Sequence, residues 1–138
     1  KPYMPISTLR AAASYPAAEG AFADADLQSA LIDCGLAAFA DNLDESDHWA
    51  RRLSPGEQQR VAFARVLLHK PDWLFLDEAT SALDPETEER LYRLLRERLP
   101  GITVLSIGHR LSLVAFHSRR VAVRRDGAGI GRLEEVAV

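Results

Sequence analysis

LSPGEQQR, at residues 53–60, opens the part of the sequence that decides the fold. The short apolar run LFLDE (74–78) and the tetrapeptide SALD (81–84) follow it. A second apolar run, residues 102–107, comes just before His109. Alternation of such apolar runs with helical patterns is typical of an α/β unit with parallel strands.

Two helices of this unit have N-terminal signals in the sequence. Ser54 precedes Pro55, and Glu57 stands three residues after Ser54, which predicts a capping box at the start of a long helix. Asp84 followed by Pro85 predicts the start of a second helix. The predicted inner faces contain Val61, Ala64, Arg65 with Val66, and Leu68 in the first helix, and Leu91, Leu94, Leu95 and Leu99 in the second.

The apolar runs predict the strands. Residues 73–76 are a short, continuously apolar run, which favours a strand buried on both faces. Residues 102–107 are largely apolar and predict the next buried strand. Residues 121–123 and 133–138 flank the turn 126–129 and predict a terminal hairpin.

The N-terminal part of the chain is rich in Ala and Asp, and it lacks the alternation of a strand. Ser7 is the predicted cap of a short helix that reaches Ala13. Asp24 is the predicted cap of a second helix that runs to Cys34, with Gly35 placed to end it. These signals predict a small helical subdomain.

The predicted organisation has two parts. Residues 1–70 form a helical subdomain that includes the long helix, and residues 71–138 form the C-terminal half of an α/β core. The acidic segment 41–48 is predicted to be a solvated loop.

Composition excludes several classes of protein. A hydrophobic fraction of 47% with 27% charged residues is that of a globular chain. The formal net charge of −3 argues against a nucleic-acid partner, which usually requires a basic surface. The single Cys34 has apolar neighbours and is predicted to be a buried structural thiol. No apolar stretch approaches the roughly 18 residues that mark a membrane span.

Adjacent carboxylates follow the first predicted strand. Asp77 and Glu78 would emerge at the carboxyl end of that strand, where ligands gather in open α/β sheets. In a nucleotide hydrolase the first carboxylate helps hold hydrated magnesium, and the second orients or deprotonates the attacking water. A strand that simply leaves the sheet through a polar turn is the alternative.

Four other residues have both a structural and a functional interpretation. Ser54 and Gly56 lie at a predicted helix N-terminus, which attracts anions; a well-capped helix without a ligand is the alternative. His109 has the chemistry to donate to a terminal phosphate and sense its loss, although a lone histidine after a strand is often a packing residue. Asp84 is fully explained as a helix cap, and a functional role can coexist with that one.

In this order and spacing, residues 53–60, 74–78 and 81–84 with His109 resemble the signature motif, Walker B motif, D-loop and switch histidine of an ATP-binding-cassette (ABC) ATPase. The signature departs from the usual LSGGQ at Pro55 and Glu57, and Pro55 has no N–H to offer a phosphate.

The resemblance implies roles for single residues. Asp77 would hold Mg²⁺ through water, and Glu78 and His109 would be catalytic, with His109 facing the γ-phosphate of ATP. A further set would contact nucleotide in a site built across a dimer: Ser54, Gly56 and Glu57 on the ATP of the partner subunit, and Asp84 in the D-loop.

No G-x-x-x-x-G-K-[ST] phosphate loop occurs in the sequence. The chain is therefore expected to be the C-terminal portion of such an ATPase, inactive when isolated. Residues 1–7 resemble the stretch after the glutamine of the Q-loop, which touches the membrane domain. The sequence at residues 49–60 and 108–117 resembles that of one branch of the family. This branch contains the peroxisomal fatty-acyl half-transporters and their bacterial relatives that import peptides or cobalamin.

The leading hypothesis is the ATPase domain of a membrane transporter at the cytoplasmic face of a bacterial inner membrane, the isolated chain itself being soluble. Its expected partners are a second ATPase domain, as in a homodimer, and the transmembrane domain of the same protein. Two alternatives are a soluble ABC ATPase of DNA repair or translation, and a truncated, non-enzymatic interaction module.

Overall fold

A computed structural model describes residues 1–125 and 131–137. The chain forms two compact units, Lys1–Ile107 and Gly108–Val138. The boundary expected near residue 70 therefore lies inside the first unit, and the division into a helical subdomain and an α/β core stays a prediction.

Short elements and one long helix make up the N-terminal half of the first unit. Strands β1 and β2 have two residues each and pair antiparallel. A 3₁₀ turn, Ala37–Phe39, follows the second helix. The elements are β1 (Ser7–Thr8), α1 (Leu9–Ser14), α2 (Asp24–Asp33), β2 (Ser46–Asp47), α3 (Trp49–Arg52) and α4 (Pro55–His69).

Two of the predicted helix caps are wrong. Ser7 lies in β1, and Thr8 caps α1, its hydroxyl oxygen accepting from the N–H of Ala11 at 3.0 Å. Asp24 is the first residue of α2 and not its cap, and its carboxylate accepts instead from the Arg10 guanidinium at 2.5 Å. This hydrogen bond and charge lower the pKa of Asp24.

Other N-terminal predictions hold in part. Gly35, with a φ of 77°, ends the second helix in the left-handed conformation that glycine adopts without strain. The segment 41–48 is not simply a solvated loop, because it contains β2 and because Leu43 is buried.

Helix α4 lies against α1 and α2 and supplies part of the core. Phe63 and Leu67 are buried on its inner face with Val61 and Ala64, whereas Leu68 of the predicted face is only half-buried. Pro55, at the first position, has a backbone angle φ that suits the start of a helix. Lys70 ends the helix in the left-handed conformation.

Cys34 is a buried structural thiol, as predicted. Its side chain has no exposed surface, and burial raises its pKa to about 12. A thiol with so high a pKa carries almost no thiolate at neutral pH and is therefore unreactive.

Arg65 ties the N-terminal segment to α4. Its guanidinium donates to the carbonyl of Ala12 at 2.8 Å and to that of Tyr3 at 2.7 Å, and it lies over the ring of Tyr15. Burial lowers the pKa of Arg65 to about 10. A cation buried to this degree is compensated by its carbonyl partners and by the aromatic ring.

The α/β part of the first unit is a parallel pair of strands joined through a helix. Strand β3 (Trp73–Asp77) pairs with β4 (Thr103–Ile107), and α5 (Pro85–Arg98) connects them. The hydroxyl groups of Tyr92 on α5 and Ser106 on β4 are 2.9 Å apart. Parallel strands and their order are as predicted.

These strands were predicted to be buried, and within the described residues this prediction is wrong. Trp73 and Phe75 on β3 are 62% and 69% exposed, and Leu105 and Ile107 on β4 are also exposed. The four lie at alternating positions and therefore share one face of the pair. No element within residues 1–107 covers that face.

The second unit begins with a 3₁₀ segment, Leu111–Phe116. Strands β5 (Arg120–Arg125) and β6 (Gly131–Val136) pair antiparallel, which confirms the predicted hairpin. The predicted turn at 126–129 lies outside the described residues. None of the helices described in either unit has the length and apolar character of a membrane span.

The corrected cap of α1 generates a prediction. Replacing Thr8 by Ala should lower the free energy of unfolding by about 1 kcal/mol, because the N–H of Ala11 loses its acceptor. The matched change Ser7→Ala should cost clearly less, because the carbonyl of Ser7 that accepts from the Trp49 indole is retained. Urea unfolding followed by circular dichroism measures both, and an equal or larger loss for Ser7→Ala would contradict the assignment.

Candidate functional site

The N-termini of α4 and α5 open on one cavity of about 370 Å³. It therefore brings together Ser54 and Gly56 of the signature run with Asp84 of the D-loop, three residues that sequence reasoning proposed. Its lining residues are Ser54, Pro55, Gly56, Arg60, Ala82, Leu83, Asp84 and Thr87.

The start of α4 is the predicted capping box. The hydroxyl oxygen of Ser54 accepts from the N–H of Glu57 at 3.3 Å, and the Glu57 carboxylate accepts from the N–H and the hydroxyl of Ser54, each at 2.8 Å. The Glu57 carboxylate thus turns back onto the helix end and orients the Ser54 hydroxyl.

This arrangement leaves one N–H in the first turn of α4 for a ligand. Pro55 has none, that of Glu57 is held by Ser54, and that of Gln58 donates to the Ser54 carbonyl at 3.0 Å. The N–H of Gly56 has no acceptor among the residues that the structure describes. An anion at this helix end would therefore meet Gly56 first.

Gly56 also has a packing reason to be glycine. A Cβ atom at this position would lie 3.1 Å from the carbonyl oxygen of Ala82 and 3.4 Å from a methyl group of Leu83. The signature helix and the D-loop therefore approach each other more closely than any other residue type would allow without a shift.

Asp84 caps α5 from the other side of the cavity. Its carboxylate accepts from the N–H of Thr87 at 2.8 Å and from the Thr87 hydroxyl at 2.7 Å. These hydrogen bonds lower the pKa of Asp84, so that it is ionised at neutral pH.

Arg60 is a cavity residue that sequence reasoning did not single out. Its guanidinium donates to the carbonyl of Gly35 at 2.7 Å, which holds a cationic side chain beside the cavity. The sequence could have pointed to Arg60, because it lies in the run LSPGEQQR one helical turn after Gly56.

Asp77 and Glu78 leave the carboxyl end of β3 as predicted. Asp77 is exposed, and the N–H of Glu78 donates to the carbonyl of Ile107 at 2.9 Å, one step beyond the last strand pair. Glu78 has a φ of 47°, a left-handed conformation that costs a non-glycine residue roughly 1 kcal/mol or more. Such backbone conformations concentrate at functional sites.

The carboxylates suit a magnesium ion only with help from a ligand. No cluster of three or more metal-ligating side chains occurs within residues 1–125 and 131–137. Mg²⁺ bound to nucleotide needs only one or two protein carboxylates, because water and phosphate oxygens complete its octahedron. The exposed Asp77 fits that role.

Gln59 joins α4 to the loop that follows β3, and sequence reasoning did not predict this role. Its amide nitrogen lies 3.3 Å from the carbonyl oxygen of Glu78 and 3.1 Å from the hydroxyl oxygen of Ser81. Its amide oxygen accepts from the N–H of Ala82 at 3.1 Å. The second glutamine of LSPGEQQR gives no local hint of partners about twenty residues away.

His109 lies in the second compact unit and is exposed. It follows Gly108, where a Cβ atom would be 2.6 Å from a methyl group of Leu113. The 3₁₀ segment after His109 therefore packs closely on the backbone just before it.

Comparison with known proteins now gives the family. A family model described as ABC transporter matches residues 6–81, more than half of the chain. The chain belongs to this family. The predicted resemblance and the predicted α/β ABC ATPase fold are thereby confirmed.

Relatives and a solved structure agree with this assignment. An uncharacterized ABC transporter ATP-binding protein of Haemophilus influenzae is 48% identical over 121 residues, covering 88% of this chain and 20% of that protein. The human lysosomal cobalamin transporter ABCD4 is 38% identical over 148 residues, covering the whole chain and 24% of that protein. A bacterial Atm1-family ABC exporter with ATP bound matches with a TM-score of 0.68 and 34% identity, covering 81% of this chain and 20% of that one.

The chain spans about a fifth of the length of the curated relatives it matches. The similarity to a D-family transporter supports the predicted branch. The roles assigned to single residues stay predictions.

Proposed function

We propose that this chain is part of the nucleotide-binding domain of an ABC transporter, in which ATP binding and hydrolysis drive movement of a substrate across a membrane. The observation that carries the proposal is the cavity where the capped N-termini of α4 and α5 meet. Family membership and the ATP-bound exporter of similar fold support it.

In this proposal the cavity receives the phosphates of an ATP molecule bound by the partner subunit. The N–H of Gly56 donates to them. The Ser54 hydroxyl, which donates to the Glu57 carboxylate in this structure, turns its proton to a phosphate oxygen when the nucleotide binds, and Asp84 holds the D-loop end of α5. Arg60 contributes positive charge.

The residues proposed to carry out hydrolysis lie at or just after the ends of β3 and β4. Bound Mg²⁺ would neutralise phosphate charge, with Asp77 as its water-mediated protein ligand. Glu78 orients or deprotonates the attacking water. His109 donates to the γ-phosphate and responds to its departure.

The proposed partners are a second ATPase domain, related as in a homodimer, and the transmembrane domain of the same protein. The place of action is the cytoplasmic face of a membrane, in bacteria the inner membrane. Residues 1–7 are proposed to lie near the membrane domain, and Arg65 fixes part of this segment on the signature helix.

The isolated chain is expected not to bind Mg-ATP with useful affinity, nor to hydrolyse it. Its sequence has no phosphate loop to supply the N–H cradle and the lysine for the β- and γ-phosphates. Isothermal titration calorimetry with Mg-ATP tests this expectation, and a micromolar dissociation constant would contradict it.

Replacing Glu78 by Gln in the complete protein should retain ATP binding and lower kcat by roughly 10²-fold or more, the loss expected for a general base. The variant should also accumulate an ATP-bound closed dimer. Steady-state ATPase assays and cross-linking between subunits measure the two effects. Near-normal turnover would remove Glu78 from its catalytic role.

Gly56→Asp should damage the site completed by the other subunit. The change introduces a negative charge where a phosphate approaches, and a loss of even about 2 kcal/mol weakens association more than tenfold. Gly56→Ala is the matched control, since its Cβ meets the same D-loop atoms but carries no charge. We expect dimer closure to be much weaker in Gly56→Asp than in Gly56→Ala.

Mixed dimers decide whether this effect acts across the interface. Gly56→Asp subunits are combined with subunits whose phosphate-loop lysine has been replaced, so that both lesions fall in one composite site and the other site is intact. Recovery of ATPase activity in the mixture, absent from each parent, is the expected result. Absence of recovery, with ATP binding lost in the Gly56→Asp subunit, would mean that the signature serves its own subunit.

A further inference from the structure

We propose that Gln59 is a positioning residue, which sets the direction of the Glu78 carboxylate and ties it to the signature helix. This inference rests on the proposed function, because it assigns to Glu78 the handling of the attacking water. Gln59 itself touches neither nucleotide nor water in the proposal.

Both polar atoms of the Gln59 side-chain amide form hydrogen bonds to the same loop. Gln59 is 9% exposed, and its amide nitrogen and oxygen face the loop between β3 and α5. The nitrogen donates to the carbonyl of Glu78 and to Ser81, and the oxygen accepts from the N–H of Ala82. A glutamine amide is among the few side chains that can donate and accept in this way.

These bonds act on the backbone of Glu78 itself. The peptide group before its Cα atom is held by β4, because the N–H of Glu78 donates to the carbonyl of Ile107. The peptide group after it is held by Gln59, because that group contains the carbonyl of Glu78. Two fixed peptide groups determine the direction of the Cα–Cβ bond between them.

The left-handed conformation of Glu78 makes this support necessary. A φ of 47° is unfavourable for a glutamate and persists where the surrounding structure over-determines it. The N–H of Ser81, which donates to the Glu78 carbonyl at 3.1 Å, helps to close the same turn. Gln59 is the contact with this turn that comes from the signature helix.

The same contact joins two events of the proposed cycle. Gln59 lies little more than one helical turn after Ser54, on the helix whose first N–H faces the partner's nucleotide. A change in the position of that helix end is therefore passed through the amide to the turn that carries Glu78. In this way nucleotide in one composite site would influence the carboxylate belonging to the other.

Gln58 provides a matched control on the same helix. It is 2% exposed, and its amide nitrogen donates to the carbonyls of Ala50 at 3.0 Å and Leu53 at 2.8 Å. It thus has the same side chain, comparable burial and two hydrogen bonds to backbone carbonyls, but none of these bonds reaches the loop after β3.

The test compares Gln59→Glu with Gln58→Glu in the complete protein. Gln59→Glu retains an acceptor for Ala82 but loses both donors and places a carboxylate against the carbonyl of Glu78. We expect kcat for ATP to fall about tenfold or more, with KM changed much less, because a carboxylate displaced by a fraction of an ångström loses its alignment. Gln58→Glu should lower thermal stability without this selective loss of kcat.

Hydrogen–deuterium exchange gives a readout that does not depend on turnover. The peptide covering residues 78–83 should exchange faster in Gln59→Glu than in the unmodified protein, and at an unchanged rate in Gln58→Glu. A kcat loss of equal size in both variants, or unchanged exchange in Gln59→Glu, would overturn the positioning role.

Glu78→Gln, assayed in parallel, separates this inference from the proposed function. If it hydrolyses ATP as fast as the unmodified protein, Glu78 is not the catalytic group, and a role of Gln59 in turnover is overturned with it. If Glu78→Gln is inactive and Gln59→Glu is fully active, the proposed function stands and the inference about Gln59 is wrong.

Discussion

A buried amide must find hydrogen-bond partners, and Gln59 finds its partners in the loop between β3 and α5. This requirement brings α4 against that loop, and with it the N-terminus of α4 against that of α5. Gly56 permits the approach because a Cβ atom would press on the carbonyl of Ala82. The cavity at the two helix ends is therefore a consequence of how the helix and the loop are joined.

The features that sequence reasoning found are local ones. Ser54 with Glu57 and Asp84 with Thr87 bond over three residues, and Pro55 and Pro85 fix the first positions of their helices. A bond between near neighbours leaves its trace in a short run of sequence, since partner and spacing are both visible. The order of strands and helices and the C-terminal hairpin were predictable for the same reason.

The wrong predictions concern features that depend on contacts with residues distant in sequence. Ser7 was expected to cap a helix, but it pairs with Asp47 in a strand, and Asp24 is held by Arg10. Burial of β3 on both faces was inferred from its apolar residues alone, whereas burial depends on which elements lie against the strand. Within the candidate site the residue types were readable, but the link through Gln59 was not, because its partners lie about twenty positions further along the chain.

The charges and hydrogen-bond donors around the cavity explain why the proposed nucleotide site needs two subunits. Pro55 removes one donor from the first turn of α4, the capping box uses another, and the N–H of Gly56 remains. The carboxylates of Glu57 and Asp84 lie at the two helix ends and oppose an anion, whereas Arg60 attracts one. A single N–H and one guanidinium, set against two carboxylates, make a weak phosphate site. In the proposed composite site, most of the affinity for ATP therefore comes from the phosphate loop of the partner, and α4 contributes the contact that closes the site.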